Sequence, residues 1–390
     1  MTVKACLLTS AHPPDDARIY YKEACSLRKK GYAVTLIAPR PAGISAAVPE
    51  TLTAEGVRIR YAPGYRSRSE RLGHLNDILR LALAEQADIY HLHDPDLIAP
   101  GLALGRRAGR PVVYDVHEYY ADSLRTRYWV PAPLRGPLAV CFDWYEKQAA
   151  RRLAACVTVN EDMAGLFRAA NPRGVVLYNY PIASAFSFPP PAARTPPPVG
   201  EAPLLLYVGG VSRERGLEVM LEAMPLVRKR FPEAECALAG PLDEGSLNRR
   251  YRPLEPWLAR GGVRSLGRVP YAEVPALLRR ARVALVPLLA TLNYTKAIPV
   301  KLIEYMAAGL PVVGSDFGHI RRIVAESRCG LLARPGDPAD LARQICALLA
   351  DPAAAAAAGQ RGWEAFHASY CWEREEIKLW RLYAELVGEP

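Results

Sequence analysis

Glycines and a basic side chain follow a predicted strand in the second half of the chain, a pattern typical of phosphate sites. The apolar run Leu204–Val208 predicts the strand, and Gly209 and Gly210 come directly after it. Glycines let a ligand approach the backbone closely, and the N–H groups that open a helix attract anions. Arg215 precedes the helix and is able to bind a phosphate through two hydrogen bonds. An ordinary strand-to-helix turn with surface arginines has the same pattern, so both interpretations stay open.

Two further segments of the second half carry groups that suit a nucleotide. Lys301 and Glu304 are three residues apart on a predicted helix, so their side chains share one face. The lysine suits a phosphate and the carboxylate suits the vicinal hydroxyls of a ribose, although a surface ion pair has the same spacing. Arg268 and Val269 follow another predicted strand, where their backbone groups are available to a nucleobase.

Histidines and acidic residues end two strands of the first half. His117 follows the predicted strand 112–116, and His93 and Asp94 end the strand before it. Because the carboxyl ends of parallel strands meet at one edge of a sheet, we expect these side chains to border a ligand site. The first strand-to-helix loop reaches the same edge and carries four more candidates, which are His12, Asp15, Asp16 and Arg18. Asp15 or Asp16 also suits the N-cap of the helix that follows.

Common metal and cofactor motifs are missing from the sequence. No GxGxxG or GxxxxGK[ST] follows a predicted strand, which argues against a dinucleotide-binding dehydrogenase and a P-loop protein. Asp94 and Asp96 resemble a metal-binding DxD motif, but they precede a helix, so we expect a helix cap and a first-turn acid. The eight cysteines never occur at CxxC spacing, which argues against a zinc site and favours a reducing cytoplasm. We therefore predict no metal and no cofactor.

The elements that must position these residues alternate along both halves of the chain. Short apolar strands separated by helices predict parallel sheets covered on both faces. We expect an α/β protein with two doubly wound, Rossmann-like domains that face each other across a cleft. The predicted domains are 1–185 and 204–370, joined by a proline-rich linker at 186–203, and a last helix in 371–390 packs back on the first domain.

Composition and charge limit the partners. With 50% hydrophobic residues the chain is too apolar to be disordered, and its formal net charge of +10 indicates an anionic partner or a solvated, arginine-rich surface. No RNP, KH or zinc-finger pattern is present, so we expect no nucleic acid. No apolar run approaches the roughly 18 residues that cross a bilayer. We expect a cytoplasmic protein, with a peripheral position at the inner face of the membrane as the alternative.

Two basic segments of the first half are candidates for contact with an anionic membrane. The first, 66–83, places arginines beside leucines at helical spacing, and the second contains Arg125, Arg127, Tyr128, Trp129 and Arg135. Either segment suits an anionic membrane or a lipid-linked pyrophosphate. For the first segment, a leucine face packed on the core with arginines in solvent is the better explanation.

The chain resembles the retaining glycosyltransferases of family 4 (GT4), which have the GT-B fold, over nearly its full length. The most specific stretch is 299–313, which is similar to the family signature E-Y-M-A-x-G-x-P-V-V. The resemblance implies transfer of a sugar from a nucleotide diphosphate sugar, with retention of anomeric configuration and without a required metal. It places the donor mainly on the second domain and a saccharide or lipid-linked acceptor mainly on the first. Cell-envelope polysaccharide synthesis is the process that we expect.

Individual residues take their expected roles from this resemblance. Glu304 matches the second Glu of the E-x7-E motif, which holds the donor ribose, and Arg215 matches the usual Lys of the phosphate loop. His117 stands where the family has an active-site His, and we expect it to contact the transferred sugar near the reacting carbon. The predicted catalytic residues are His117, Arg215 and Lys301.

Two positions depart from the family pattern. Gly210 replaces the usual Arg of the phosphate loop, and Lys296 replaces the first Glu of E-x7-E, which contacts the sugar in the family. We infer that Lys301, together with Lys296, supplies the missing positive charge on the diphosphate. These departures keep open the alternative of a non-catalytic GT-B protein that only binds its partner. A nucleotide-sugar epimerase of the same fold is the second alternative.

Overall fold

A computed structural model describes residues 2–127, 130–186, 188–191, 202–270 and 273–389, which form two compact units. The first unit consists of Met1–Asn179 with Trp372–Pro390, and the second is Tyr180–Cys371. Each unit is a doubly wound parallel α/β domain, so the predicted fold class is confirmed. None of the described helices combines the length and the apolar composition needed to span a bilayer.

The first unit contains an eight-stranded sheet in the order β3-β4-β2-β1-β5-β6-β7-β8. All its pairings are parallel except that of β3 with β4. The strands are β1 Lys4–Leu8, β2 Ala33–Pro39, β3 Glu50–Leu52, β4 Arg58–Ala62, β5 Ile89–Leu92, β6 Val112–Val116, β7 Ala155–Thr158 and β8 Gly174–Val176. The helices are α1 Cys25–Lys30, α2 Arg68–Gly73, α3 Leu75–Glu85, α4 Ile98–Ala108, α5 Tyr120–Thr126, α6 Ala132–Ala150 and α7 Glu161–Phe167.

The second unit contains a six-stranded, all-parallel sheet in the order β11-β10-β9-β12-β13-β14. Its strands are β9 Leu204–Val208, β10 Glu235–Ala239, β11 Val263–Gly267, β12 Val283–Val286, β13 Val312–Ser315 and β14 Gly330–Ala333. Its helices are α8 Leu217–Arg230, α9 Glu255–Gly261, α10 Val274–Arg280, α11 Leu292–Lys296, α12 Val300–Ala307, α13 Gly318–Ser327, α14 Pro338–Ala350 and α15 Pro352–Ser369.

The last helix, α16 (Trp372–Val387), belongs to the first unit although it follows the second in sequence. The indole N–H of Trp372 donates to the Ser26 hydroxyl at 2.8 Å, and that of Trp380 donates to the Ser26 carbonyl at 2.9 Å. The Tyr383 hydroxyl lies 3.0 Å from Nδ1 of His91 in β5. These contacts bury the apolar face of α16 against the sheet and α1.

Both sheets reverse their winding direction at one place, and parallel α/β folds bind ligands there. In the first unit the reversal lies between β1 and β5, and in the second between β9 and β12. The loops that leave β1, β5 and β9 therefore open at the carboxyl edge beside these switch points. Most of the predicted site residues lie in these loops or on α12, whereas His117 follows β6, Lys296 ends α11, and Arg268 and Val269 follow β11.

Two helical predictions differ from the structure in detail. The predicted helix 17–30 begins as a π-helical segment, Ala17–Ala24, and continues as α1, which Gly31 ends in the expected left-handed conformation (φ 108°). The predicted helix around 69–85 is broken between Gly73 and Leu75, because glycine is a weak helix former and a new helix begins after His74. The leucines of α3 pack on the core as expected, whereas Leu72 in α2 is exposed.

The described part of the predicted linker packs on the second unit. Phe188 is buried with the Arg279 guanidinium 5.9 Å from its ring centroid, and Pro191 packs against Gly309. Residues 192–201 of the predicted linker lie outside the described residues. Tyr128 and Trp129 of the second basic segment lie outside them too.

Candidate active site

The loop after β9 forms the centre of the candidate site in the second unit. Gly209 follows the strand with φ 110°, a conformation that side chains disfavour, and its N–H donates to the Ala239 carbonyl at 2.8 Å. Gly216 begins α8 with φ 85°, and a Cβ there would collide with Pro287. The glycines thus bring the loop backbone close to its neighbours and open the amino end of α8.

Arg215 lies across this loop, held by uncharged partners. Its Nε donates to the Tyr294 hydroxyl at 2.9 Å and its Nη1 donates to the Gly210 carbonyl at 3.1 Å. A Cβ built on Gly210 would lie 2.7 Å from Nη1 of Arg215. The guanidinium therefore occupies the space beside residue 210, and a larger side chain at this position would require the flexible end of Arg215 to shift.

Lys301 reaches the same loop from α12. Its ammonium lies 3.7 Å from the ring centroid of Tyr207 and contacts the Tyr207 hydroxyl. A Cβ on Gly209 would lie 3.2 Å from the Lys301 Nζ, so the amine stands directly beside the glycine turn. Burial, and secondarily the positive charge of Arg215, lower the pKa of Lys301 to about 7, while Glu304 opposes this shift.

Helix α12 is fixed to the end of β9 by a tyrosine that follows Glu304. The backbone N–H of Val208 donates to the Tyr305 hydroxyl at 2.7 Å, and the Tyr305 ring is buried. This bond places Lys301 and Glu304 next to the loop after β9. Sequence analysis did not single out three tyrosines that hold this site together, Tyr207, Tyr294 and Tyr305. Each lies close in the sequence to a predicted basic site residue, and this proximity is the signal that could have identified them.

The other predicted donor-side residues lie on separate elements. Lys296 is the last residue of α11 and is partly buried, and Arg268 with Val269 follows the edge strand β11. The Arg268 side chain is exposed. Their assignment to the donor remains a prediction.

In the first unit, Asp94 ties the loop after β1 to the end of β5. Its carboxylate accepts from the Thr9 hydroxyl at 2.7 Å and the Ser10 N–H at 2.8 Å. Asp94 makes no side-chain cap for the following helix, so the predicted capping role is wrong for this residue. Asp94 is buried and anchors the loop by joining two chain segments that are 84 residues apart, and its assignment to the acceptor side remains a prediction.

His12 and Asp16 are neighbours in the loop after β1. Asp16 accepts from the N–H groups of Arg18 at 2.8 Å and Ile19 at 3.0 Å, so the prediction of an N-cap here is confirmed. Burial opposes ionisation of Asp16, but hydrogen bonds from His12 and from Ile19 lower its pKa to about 2. The bond to Asp16 raises the pKa of His12. Asp15 is exposed.

Arg18 is the cation of a buried polar cluster behind His117. Its Nε lies 3.0 Å from Glu23 and 3.0 Å from Asp115, and its Nη2 donates to Asp115 at 2.8 Å. The His117 Nε2 lies 3.2 Å from Asp115 and 3.3 Å from the His93 Nδ1. Arg18 and His93 are buried, and their assignment to the acceptor side remains a prediction. They position His117, which is partly exposed.

Charge in this cluster is confined to one ion pair. Burial, and then the Asp115 charge, raise the pKa of Glu23 well above its usual range. Burial opposes ionisation of Asp115, but Arg18 and His117 hold its pKa well below the usual range. Burial also lowers the pKa of His91 to about 4 and lowers that of His93 well below its usual range. These directions favour the charged forms of Arg18 and Asp115 and the neutral forms of Glu23 and the two histidines.

The same cluster contains a set of groups that could ligate a metal. One ligand atom from each of Glu23, His91, His93 and Asp115 lies within 4.8 Å of the others. The Arg18 guanidinium, however, already lies 3.0 Å from both carboxylates. A divalent cation would face this buried positive charge, so the donor set does not suit a resident metal.

Comparison with known proteins identifies the family. A model described as "Glycosyl transferase 4-like domain" matches residues 18–179, and one described as "Glycosyl transferases group 1" matches residues 202–351. Together the two matches span most of the chain. The chain belongs to the GT4-like glycosyltransferases. Membership of this family favours sugar transfer over the epimerase and non-catalytic alternatives.

The GT4-like chain is similar to enzymes of several names. It is 26% identical over 303 residues to a glycogen synthase of Mycobacterium tuberculosis, covering 76% of this chain and 68% of that protein. It is 25% identical over 374 residues to the phosphatidyl-myo-inositol mannosyltransferase of Mycolicibacterium smegmatis, covering 93% and 88%.

Solved structures show the GT-B fold. Sucrose-phosphate synthase from Thermosynechococcus elongatus superposes with a TM-score of 0.73 at 20% identity, covering 98% of this chain and 99% of that one. Anabaena HepE in complex with UDP has a TM-score of 0.69 at 15% identity, covering 99% and 100%.

Substitutions at Asp115 and Glu23 test the charge assignment. We expect Asp115→Asn to lower the free energy of unfolding by about 3–5 kcal/mol, because it removes the carboxylate that bonds the buried Arg18 through two atoms. A carboxyl whose pKa rises on folding makes the folded protein less stable as the pH rises, by up to about 1.4 kcal/mol per pH unit. Glu23→Gln removes this loss, so the stability of this variant relative to the unmodified protein should increase as the pH rises above 4.5, the ordinary pKa of a glutamate. Urea unfolding measures both effects.

The exposed Glu233, changed to Gln, is the matched control and should leave the unfolding curves unchanged. A Glu23→Gln protein as unstable as Asp115→Asn would mean that Glu23 is ionised and that the assignment is wrong.

Proposed function

We propose that this glycosyltransferase transfers a sugar from a nucleotide diphosphate sugar to a hydroxyl acceptor, with retention of configuration and without a required metal. The observation that carries the proposal is the convergence of Arg215, Lys301 and the amino end of α8 on the glycine loop after β9. Two cations and a helix N-terminus at one loop suit a diphosphate. A UDP complex of the structurally similar HepE supports a nucleotide donor.

The proposed chemistry depends on stabilising a leaving diphosphate. Negative charge grows on the diphosphate as its bond to the sugar breaks, and Arg215 and protonated Lys301 stabilise that charge. Glu304 accepts hydrogen bonds from the ribose, and His117 contacts the transferred sugar. The acceptor hydroxyl enters on the face that the diphosphate leaves, and a leaving phosphate oxygen takes its proton. This sequence of events retains the configuration and requires no protein base.

Two relatives and one face of α6 support the acceptor class that we propose. The relative from Mycolicibacterium smegmatis is named for phosphatidyl-myo-inositol, and the relative from Mycobacterium tuberculosis is named for glycogen. In this chain, Leu134 and Leu138 are four residues apart on α6, so they share one face of the helix, and they are 51% and 45% exposed. Arg135 follows Leu134 in sequence, and Arg125 belongs to the preceding helix α5. We propose that this face of α6 rests on an anionic membrane that carries a lipid-linked acceptor.

A panel of UDP, GDP, ADP, CDP and TDP tests the donor site. At least one of them should raise the melting temperature by mass action. Lys301→Ala and Glu304→Ala should each weaken the best ligand about tenfold or more in calorimetry, since a hydrogen bond to a charged group contributes about 1.5–3 kcal/mol. The exposed residues Lys229 and Glu233, changed to Ala, are matched controls in the same unit. A chain that none of the five ligands stabilises would contradict the proposal.

Chelation tests the absence of a metal requirement. Because two protein cations supply the positive charge, transfer measured with the best donor should keep its rate after dialysis against EDTA. An activity that is lost on dialysis and returns with Mn²⁺ or Mg²⁺ would reverse this part of the proposal.

Vesicle binding tests the membrane face. Leu138→Glu should reduce co-sedimentation with phosphatidylglycerol vesicles several-fold, because it places a negative charge in the apolar face of α6. Leu226→Glu, at a partly exposed leucine of the second unit, is the control and should bind as the unmodified protein does. Equal binding of the Leu138→Glu protein would show that this face is not the contact.

A further inference from the structure

We propose that Tyr207 is the positioning residue of the phosphate site, orienting Lys301 and Arg215 toward the donor without neutralising them. The inference rests on the proposed function, because it concerns the same loop. Tyr207 lies in β9 with its ring buried, and its hydroxyl reaches the loop that follows the strand. No motif singled out this residue, because a buried tyrosine at a strand end is ordinary in sequence.

The hydroxyl of Tyr207 joins the two cations through one carbonyl. It donates to the Gly210 carbonyl at 2.9 Å and accepts a hydrogen bond from the Lys301 ammonium. The same carbonyl accepts from the Arg215 Nη1 at 3.1 Å. A tyrosine hydroxyl has one hydrogen to donate and lone pairs to accept, so both of its contacts are satisfied at once. Without the hydroxyl, the Lys301 ammonium would lose its acceptor. The Gly210 carbonyl, to which Arg215 also donates, would lose the bond that fixes its position.

The partners described above that hold the two cations are uncharged. Lys301 packs over the Tyr207 ring and contacts its hydroxyl, and Arg215 bonds Tyr294 and the Gly210 carbonyl. A carboxylate in the same place would orient the cations equally well but would cancel the charge that attracts a phosphate. Neutral partners keep the full positive charge available to an anion.

This arrangement affects the protonation of the Lys301 amine when an anion binds. The groups that act on the Lys301 amine are Arg215, which disfavours its charge, Glu304, which favours it, and the Tyr207 hydroxyl. Burial and Arg215 lower the pKa of Lys301 to about 7, so near neutral pH the free protein holds a mixture of charged and neutral amine. A bound diphosphate favours the charged amine, so binding takes up a proton. Affinity should then fall as the pH rises above about 7.

Calorimetry on the full chain with Tyr207→Phe tests the proposal, since Phe keeps the ring and removes the hydroxyl. The probes are the most stabilising nucleoside diphosphate of the panel and inorganic pyrophosphate, titrated at several pH values in two buffers of different ionisation enthalpy. We expect the Tyr207→Phe protein to bind both probes about tenfold more weakly at low pH, as loss of one hydrogen bond to a charged group predicts. The pH at which affinity falls should also move lower, because the charged amine has lost an acceptor.

Tyr251→Phe is the matched control. Its hydroxyl is in the same unit and donates to the Glu222 carboxylate at 2.7 Å, away from the loop after β9. This variant should bind both probes with unchanged affinity and pH dependence. If the Tyr207→Phe protein does not fold, Lys301→Met in the presence of Tyr207 provides the second measurement, and its binding should take up no proton.

The outcomes separate this proposal from the one on which it rests. Binding by Tyr207→Phe with unchanged affinity and midpoint would overturn the role of Tyr207 alone. Proton uptake that persists in Lys301→Met would show that Lys301 is not the group that Tyr207 holds for the anion, and would overturn the proposal as well. If the unmodified chain binds neither probe, the phosphate site itself is wrong.

Discussion

Repulsion between two neighbouring cations is the interaction on which the second unit's site depends. Arg215 and the Lys301 amine converge on one glycine loop, and each makes the charge of the other less favourable. Tyrosine hydroxyls and a peptide carbonyl hold them there, and these partners carry no charge that would offset the repulsion. The diphosphate of the proposed donor would offset it by bringing negative charge to both cations. The tight turn at Gly209 and the small residue at 210 provide the room that two such side chains require.

In the first unit, by contrast, the buried positive charge has a carboxylate partner within the protein. Arg18 donates to Asp115, whose pKa is low, and the pKa of the neighbouring carboxyl of Glu23 is raised, which favours its protonated form. Isolated charges are very costly in such an interior, so the cluster keeps one positive and one negative group and makes the rest neutral. His117 sits at the outer end of this network with its Nε2 toward Asp115. The domain thereby holds one imidazole firmly at the edge of the sheet where a ligand can reach it.

Features that depend on neighbours in sequence could be predicted, and features that depend on distant pairing could not. The strand before Gly209, the cap at Asp16 and the left-handed end at Gly31 each follow from a few adjacent residues. The anchoring role of Asp94 and the contact of Tyr207 with Lys301 join segments 84 to 94 residues apart. Aspartate before a helix and tyrosine in a strand have ordinary local explanations, and only the assembled sheet shows what they bond.

The position of α16 also bears on the order in which the chain matures during synthesis. The first unit leaves the ribosome early, but Trp372, Trp380 and Tyr383 emerge only after the whole second unit. Until then the partners of Ser26 and His91 are missing, and the early domain has an incomplete interior. The second unit is contiguous and can finish its own core first. The interior of the first unit is thus completed by a segment that is synthesised after the second unit.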